Sequence, residues 1–211
     1  MKLSLVISFV LLSFSQIAQS SSLSEFMAKR VRLRAQWGAQ DARSDMASES
    51  IKKRIAIHHT AGVAKSADQT VRDIQRSHMV GRSFSDIGYN FLIAPNGTIF
   101  EGRDLVFRAA HVTDHNTETL GISFLGCYDS RECHAPAYPE VHAVNEAALR
   151  AAGELAGVLC LHFGIAVTEE NIKGHRQFQG ASTACPGDRI MARMRDIRAE
   201  AMAVVTGQRE L

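Results

Sequence analysis

The chain has almost no excess of one charge: its 24 Lys and Arg stand against 22 Asp and Glu, a net charge of +2 over 211 residues. So even a balance gives composition no case for nucleic-acid binding, which needs a basic face to meet phosphates. Beyond the N-terminus no apolar stretch approaches the roughly 20 residues that span a bilayer. There is no internal repeat, no low-complexity tract and no sign of a second domain. Cysteine is scarce, at Cys127, Cys133, Cys160 and Cys185. None directly follows the N-terminal apolar run, so the usual sign of a lipid anchor is missing. What remains is 45% hydrophobic and 22% charged residues, ordinary values for a globular domain with its own core.

The first 20 residues read as a secretory signal. Lys2 is the charged start, Leu3 to Phe14 is mostly apolar, and Ala18-Gln19-Ser20 has the small-x-small pattern of a cleavage site. Export permits disulfides. Cys127 and Cys133 bound a short polar loop and form the natural pair; closing so short a loop stabilises by about 2 kcal/mol in the chain-entropy picture. Cys160 sits in the apolar run Leu155 to Phe163 and reads as a core thiol.

Residues 21–45 form a polar N-terminal segment with a short helix expected from Glu25 to Arg34. Arg54 to His59 is rich in β-branched residues and reads as a strand. Val71, Ile74 and His78 recur at helical spacing within Asp68 to Val80, and Gly81 ends that helix. Gly88 to Phe100 reads as a hairpin turning at Pro95-Asn96-Gly97. Thr119 to Leu125 is a further strand. A long helix is expected from Pro139 to Gly164, with Val141, Val144, Ala148, Leu155, Leu159 and Phe163 on its apolar face. A last helix opens at Pro186 and turns Ile190, Met194 and Ile197 inward. Strands and helices interleave, so the expected fold is α/β: one domain, a central mixed sheet flanked by helices.

Two short segments far apart carry the chemistry. Ile57-His58-His59-Thr60 and Gly174-His175-Arg176, with Ala184-Cys185-Pro186-Gly187 after it, supply two imidazoles and a thiol. Three such ligands with a fourth position free is the layout of a catalytic zinc. Strand alternation puts Ile55, Ile57 and His59 on one face and Ala56 and His58 on the other. His58 is therefore the stronger ligand candidate, and His59 the weaker one, read as a histidine behind the ligands, a core histidine or a substrate contact.

The ordered motifs Ile57-His58-His59-Thr60-Ala61, Ser85-Asp86-Ile87-Gly88-Tyr89-Asn90-Phe91, Gly97-Thr98-Ile99-Phe100-Glu101-Gly102-Arg103, Ala110-His111, Leu120-Gly121-Ile122 and Gly174-His175-Arg176 through Cys185-Pro186-Gly187 resemble the peptidoglycan recognition protein family and the related phage-lysozyme-type amidases. Trp37-Gly38-Ala39 resembles the N-terminal segment of that family, and the likeness runs over residues 30–200. It implies an amidase domain over residues 46–205 with a zinc-containing groove. The activity implied is that of an N-acetylmuramoyl-L-alanine amidase, with Zn2+ held by His58, His175 and Cys185 and polarising the scissile carbonyl. Tyr89 matches the tyrosine that assists proton transfer or steadies the oxyanion. Its phenol, with an ordinary pKa near ~10, is a poor base, so the hydrogen-bonding role is favoured. Thr183 matches a position that donates to the oxyanion. His111 matches a groove histidine that contacts substrate, and Asn116 and Arg103 stand as sugar and peptide contacts.

The implied partner is peptidoglycan or its muropeptides, met outside the cell or in a periplasm by a monomer that does not span a membrane. Two departures from the animal recognition proteins stand out. No cysteine lies in Val63 to Gln69, and the stretch from His175 to Cys185 is longer, with Gln179-Gly180-Ala181-Ser182 inserted. Both favour a secreted cell-wall hydrolase over an immune receptor. The alternative is a non-catalytic recognition protein that uses the groove only to bind; such proteins typically lack the cysteine ligand.

Overall fold

A computed structural model describes residues 23–62, 66–133 and 143–209. The segment read as a signal sequence lies outside them, as do Pro139 and Val141. Residues 23–30 are helical (α1) and lead into β1 (Val31–Arg32) and α2 (Arg34–Trp37). There follow β2 (Arg54–His59), α3 (Ala67–Arg76), β3 (Phe91–Ile93), β4 (Ile99–Glu101), β5 (Thr119–Phe124), α4 (Glu146–Phe163), β6 (Ile172–Gly174), α5 (Asp188–Met191) and α6 (Met194–Val205). The strands form one six-stranded sheet in the order β1-β4-β3-β5-β2-β6. Among the described strands only the β3–β4 pair is antiparallel, so the sheet is mixed, as the interleaved pattern predicts.

The expected helix from Glu25 to Arg34 is cut short. Val31 leaves it to pair with Ile99 at the sheet edge, where its β-branched side chain is buried. The N-terminal segment is thereby stitched into the fold. Trp37 is 1% exposed, donates its indole N–H to the Glu101 carbonyl at 2.9 Å, and packs with Val71, Ile87, Leu92 and Phe100. The opposite face of the sheet, with Ile55, Ile57, Leu120 and Ile122, is covered by α4 and α6 through Leu155, Leu159 and Ile197. Each such side chain contributes roughly 1.5–3 kcal/mol on full burial.

The ends of the helices follow local chemistry. Ser66 caps α3, its hydroxyl accepting from the Gln69 N–H. The chain then runs on through a wide turn, Ser77–Gly81, that buries His78. The described part of the long helix begins at Glu146 rather than Pro139, because Asn145 caps it by accepting from the Ala147 N–H at 2.9 Å. Gly164 ends it in a left-handed conformation, φ 68°. The last helix is broken in two between Met191 and Met194, yet Ile190, Met194 and Ile197 are buried as the spacing predicts. Cys127 and Cys133 are disulfide-bonded, and Cys160 is a buried free thiol.

Candidate metal centre

In sheets of this kind a ligand site gathers beyond the carboxyl ends of parallel strands. Here β2 and β6 are neighbours with Ile57 opposite Gly174, so His58 and His175, each one step further on, emerge side by side. Their ring centroids are 4.7 Å apart. The chain then returns through Cys185, whose Sγ lies 3.5 Å from His58 Nδ1. One ligand atom from each of His58, His175 and Cys185 falls within 4.8 Å of the others. A tetrahedral pair of bonds of ~2.3 Å to sulfur and ~2.05 Å to nitrogen separates the two donor atoms by ~3.5 Å, so the His58–Cys185 pair has zinc spacing, and the chemistry of the three donors suits that ion.

The electrostatics point the same way. Burial, then the neighbouring histidines, holds the His58 imidazole well below its ordinary pKa. Burial lowers His175 too. Both rings are therefore neutral, the form that ligates. Burial pushes the Cys185 thiol up to about 12, against a hydrogen bond from the His59 N–H. Such a thiol is inert as a free nucleophile, whereas a coordinated cation would stabilise its thiolate.

Around this cluster the expected site residues divide. His111 joins it directly, its Nδ1 2.9 Å from His58 Nε2. This close approach is possible because β5 carries Gly121 beneath the ring; a Cβ there would stand 2.6 Å from a His111 ring atom. Tyr89 also joins, its ring centroid 5.2 Å from that of His58. Burial, then the Cys185 charge, raises its phenol to about 12, so it stays protonated. The buried Ser123 hydroxyl faces Tyr89 and finds no hydrogen-bond partner of good geometry among the described residues. Sequence reasoning did not single out Ser123. Its register opposite His58 on the neighbouring strand is the signal that could have found it.

Thr183 is exposed, and its hydroxyl accepts from the Cys185 N–H at 3.1 Å. Together with His175, Thr113, Asp114, Gln179 and Ser182 it lines a recess of about 250 Å³. The Gln179–Ser182 stretch thus builds a wall beside the cluster, anchored where His115 Nε2 meets the Gln179 carbonyl at 2.9 Å. A second recess, about 290 Å³, lies beyond Tyr89 and is lined by Thr60, Asp73, Ser77, His78 and Arg82.

Three expected contacts have internal partners. Asn116 Oδ1 accepts from the N–H groups of His111 and Val112, so Asn116 shapes the loop that carries His111. Arg103 is 5% exposed and donates to the carbonyls of Ile87, Arg108 and Asp86. Both also line a third recess, of about 320 Å³. His59 is not brought to the cluster by its ring: it is 4% exposed, and its Nδ1 accepts from the Tyr128 N–H at 3.1 Å.

Comparison with known proteins bears on this geometry. Residues 48–188 match the N-acetylmuramoyl-L-alanine amidase family. The chain is 35% identical to peptidoglycan-recognition protein SC2 of Drosophila simulans over 77% of its length and 83% of that protein's. The crystal structure of Drosophila peptidoglycan recognition protein SD superposes with a TM-score of 0.66 at 32% identity, covering 78% of this chain and 92% of that one. Peptidoglycan recognition protein LE, solved in complex with tracheal cytotoxin, a monomeric diaminopimelic acid-type peptidoglycan, gives 0.67 at 27% identity over 79% and 93%.

Proposed function

This chain belongs to the N-acetylmuramoyl-L-alanine amidase family, and from that premise we propose that it is a secreted zinc amidase. It hydrolyses the amide between N-acetylmuramic acid and L-alanine in peptidoglycan. One observation carries this reading: the ligand atoms of His58, His175 and Cys185 lie within 4.8 Å of one another beside the protonated phenol of Tyr89. A module that only bound muropeptides would have no use for a complete set of two neutral imidazoles and a buried thiol.

In this reading His58, His175 and Cys185 hold the zinc. When bound, the ion supplies Lewis acidity to the scissile carbonyl and its attacking water. The chain's own groups do the rest. Tyr89, which keeps its proton, donates a hydrogen bond to the oxygen on which charge develops. Thr183 accepts the Cys185 N–H and keeps its hydroxyl proton free for the same oxygen. His111 orients His58. Asn116 holds the loop that carries His111, and Arg103 ties down the carbonyls of Ile87, Arg108 and Asp86.

Residues 1–20 are a signal sequence in this reading and residues 46–205 the amidase domain. The Cys127–Cys133 disulfide fits export. Among the described residues no helix is long and apolar enough to cross a membrane. The substrate is peptidoglycan or a muropeptide, which several relatives recognise by name.

Those names also favour a second reading, a recognition protein without turnover. Mass spectrometry of purified peptidoglycan separates the two. The amidase releases free stem peptides beginning with L-alanine and stops releasing them under a chelator. Retention of the whole muropeptide with no release, with or without added zinc, would leave binding alone.

A further inference from the structure

The disulfide-closed loop 127–133 does more than cover the core. It meets the Cys185 segment at several points. Tyr128 donates its N–H to the His59 ring, while the His59 N–H points to Cys185 Sγ at 3.4 Å. The Tyr128 carbonyl accepts from the Arg189 N–H, and Ser130 N–H donates to Asp188 at 2.8 Å. Between them Gly187 comes so close to Tyr128 that a Cβ there would overlap its backbone at 2.2 Å. Its φ of +92° further favours glycine.

At the centre of these contacts is a charge pair. The Asp129 side chain is fully buried, and its Oδ2 accepts from Arg176 Nη2 at 3.0 Å. The other oxygen accepts from the Arg131 N–H. Asp129 is fixed by the ring itself, its N–H meeting Cys133 Sγ at 3.3 Å and its carbonyl accepting from the Cys133 N–H at 2.9 Å. Arg176 in turn directly follows His175, and its backbone N–H donates to the Cys185 carbonyl at 2.9 Å. A single residue is thus tied by the chain to one ligand and by a hydrogen bond to another.

We infer that Asp129 and Arg176, braced by the Cys127–Cys133 ring, are positioning residues that hold Cys185 at the metal site. The inference rests on the zinc reading above. A buried carboxylate is tolerated when paired, and here its partner is the residue that bridges His175 to Cys185. With Asp129 gone, the guanidinium loses its anchor and Cys185 is no longer held at the distance that lets it bind together with His58. Groups that orient a ligand in this way change metal affinity by roughly 10–100-fold.

The test compares Asp129→Ala, Asp129→Asn and a control, Glu154→Gln, in the full chain. Glu154 is another buried acid, paired with Arg30 at 2.6 Å and Arg209 at 3.1 Å but on the far helix. Zinc affinity is read by chelator competition, and cobalt(II) loading by the near-ultraviolet thiolate-to-cobalt absorption. Both Asp129 variants are expected to bind zinc roughly 10–100-fold more weakly and to lose or shift that band. Glu154→Gln is expected to melt earlier with zinc affinity unchanged. If Asp129→Ala does not fold, Asp129→Asn, which keeps the shape and one acceptor oxygen, decides by the same criterion. Wild-type affinity and band in the folded Asp129 variant, or an equal loss in Glu154→Gln, would overturn the inference alone. A wild-type chain that takes up neither metal would overturn the zinc reading beneath it.

Discussion

His58 and His111 are joined ring to ring, Nε2 to Nδ1, at 2.9 Å, and the far nitrogen of His111 lies 3.2 Å from the Thr119 carbonyl. A carbonyl can only accept, so His111 carries its proton on Nε2 and presents a lone pair at Nδ1. His58 must then donate from Nε2, which leaves its Nδ1 lone pair facing Cys185, where a metal would lie. The relay fixes the tautomer of a candidate ligand from a residue 53 positions away in the chain. His111→Ala should therefore weaken zinc binding roughly 10–100-fold in chelator competition. If zinc affinity stays at the wild-type value and only KM rises, His111 is a substrate contact and not an orienting group.

Removal of the metal should stop the reaction without unfolding the domain, because the core of Ile55, Ile57, Leu155 and Ile197 does not involve the ligands. Dialysis against a chelator should abolish release of stem peptides while the circular dichroism spectrum persists, and added zinc should restore release. Cys185→Ala should lose bound zinc in metal analysis. Full occupancy and turnover in that variant would rule out its place in the site.

Tyr89→Phe separates chemistry from binding. The phenol is held protonated, at about 12, by burial. It can donate throughout the neutral range, so its removal should lower kcat by roughly 10²-fold and leave KM and zinc content alone. The alkaline limb of the rate profile should keep its midpoint, since Tyr89 does not titrate there. A variant that turns over at the wild-type rate would reduce Tyr89 to a packing residue.

Stability should fall on mild acidification because of His78. Burial, then Arg82 and Arg103, lowers its pKa to about 4, and its unprotonated Nδ1 accepts from the Gly88 N–H at 2.9 Å. An unfolded histidine takes up its proton near pH ~6.5. As the pH drops below that value the unfolded chain binds the proton first. The contribution from a neutral His78 is therefore whole above pH ~6.5 and is lost as the pH falls toward 4. Between pH 7 and pH 5 the wild type should lose roughly 1–2 kcal/mol more than His78→Gln in urea unfolding. Equal losses in the two proteins would contradict the neutral, hydrogen-bonded state of this histidine.

Opening the disulfide ring has its own cost. Replacing Cys127 and Cys133 by serine should destabilise the domain by about 2 kcal/mol, the loop-closure value for so short a ring. Urea unfolding of the double variant measures it, and an unchanged midpoint would show that the internal hydrogen bonds hold the loop by themselves.

The sequence by itself determined the class of the fold and named the three candidate ligands, His58, His175 and Cys185, that the structure brings together. Alternation along Arg54 to His59 told which of two adjacent histidines turns toward the cluster, because a strand has a period of two. Ligand type and ordered motifs did the rest, since two imidazoles and a thiol in that pattern suit a zinc ion. Local capping and pairing decided what the pattern could not: Val31 is drawn from a helix into the sheet by Ile99, and Asn145 starts the long helix where no apolar period marks a boundary. The tertiary structure alone decided the shell around the ligands. His111 reaches His58, and Asp129 reaches Arg176, across 53 and 47 residues of chain. Neither pairing has a period or a spacing to betray it, because each depends on which loops the sheet order brings together. The same order turned the His59 ring away from the cluster, onto the Tyr128 N–H, although it stands next to a ligand in sequence.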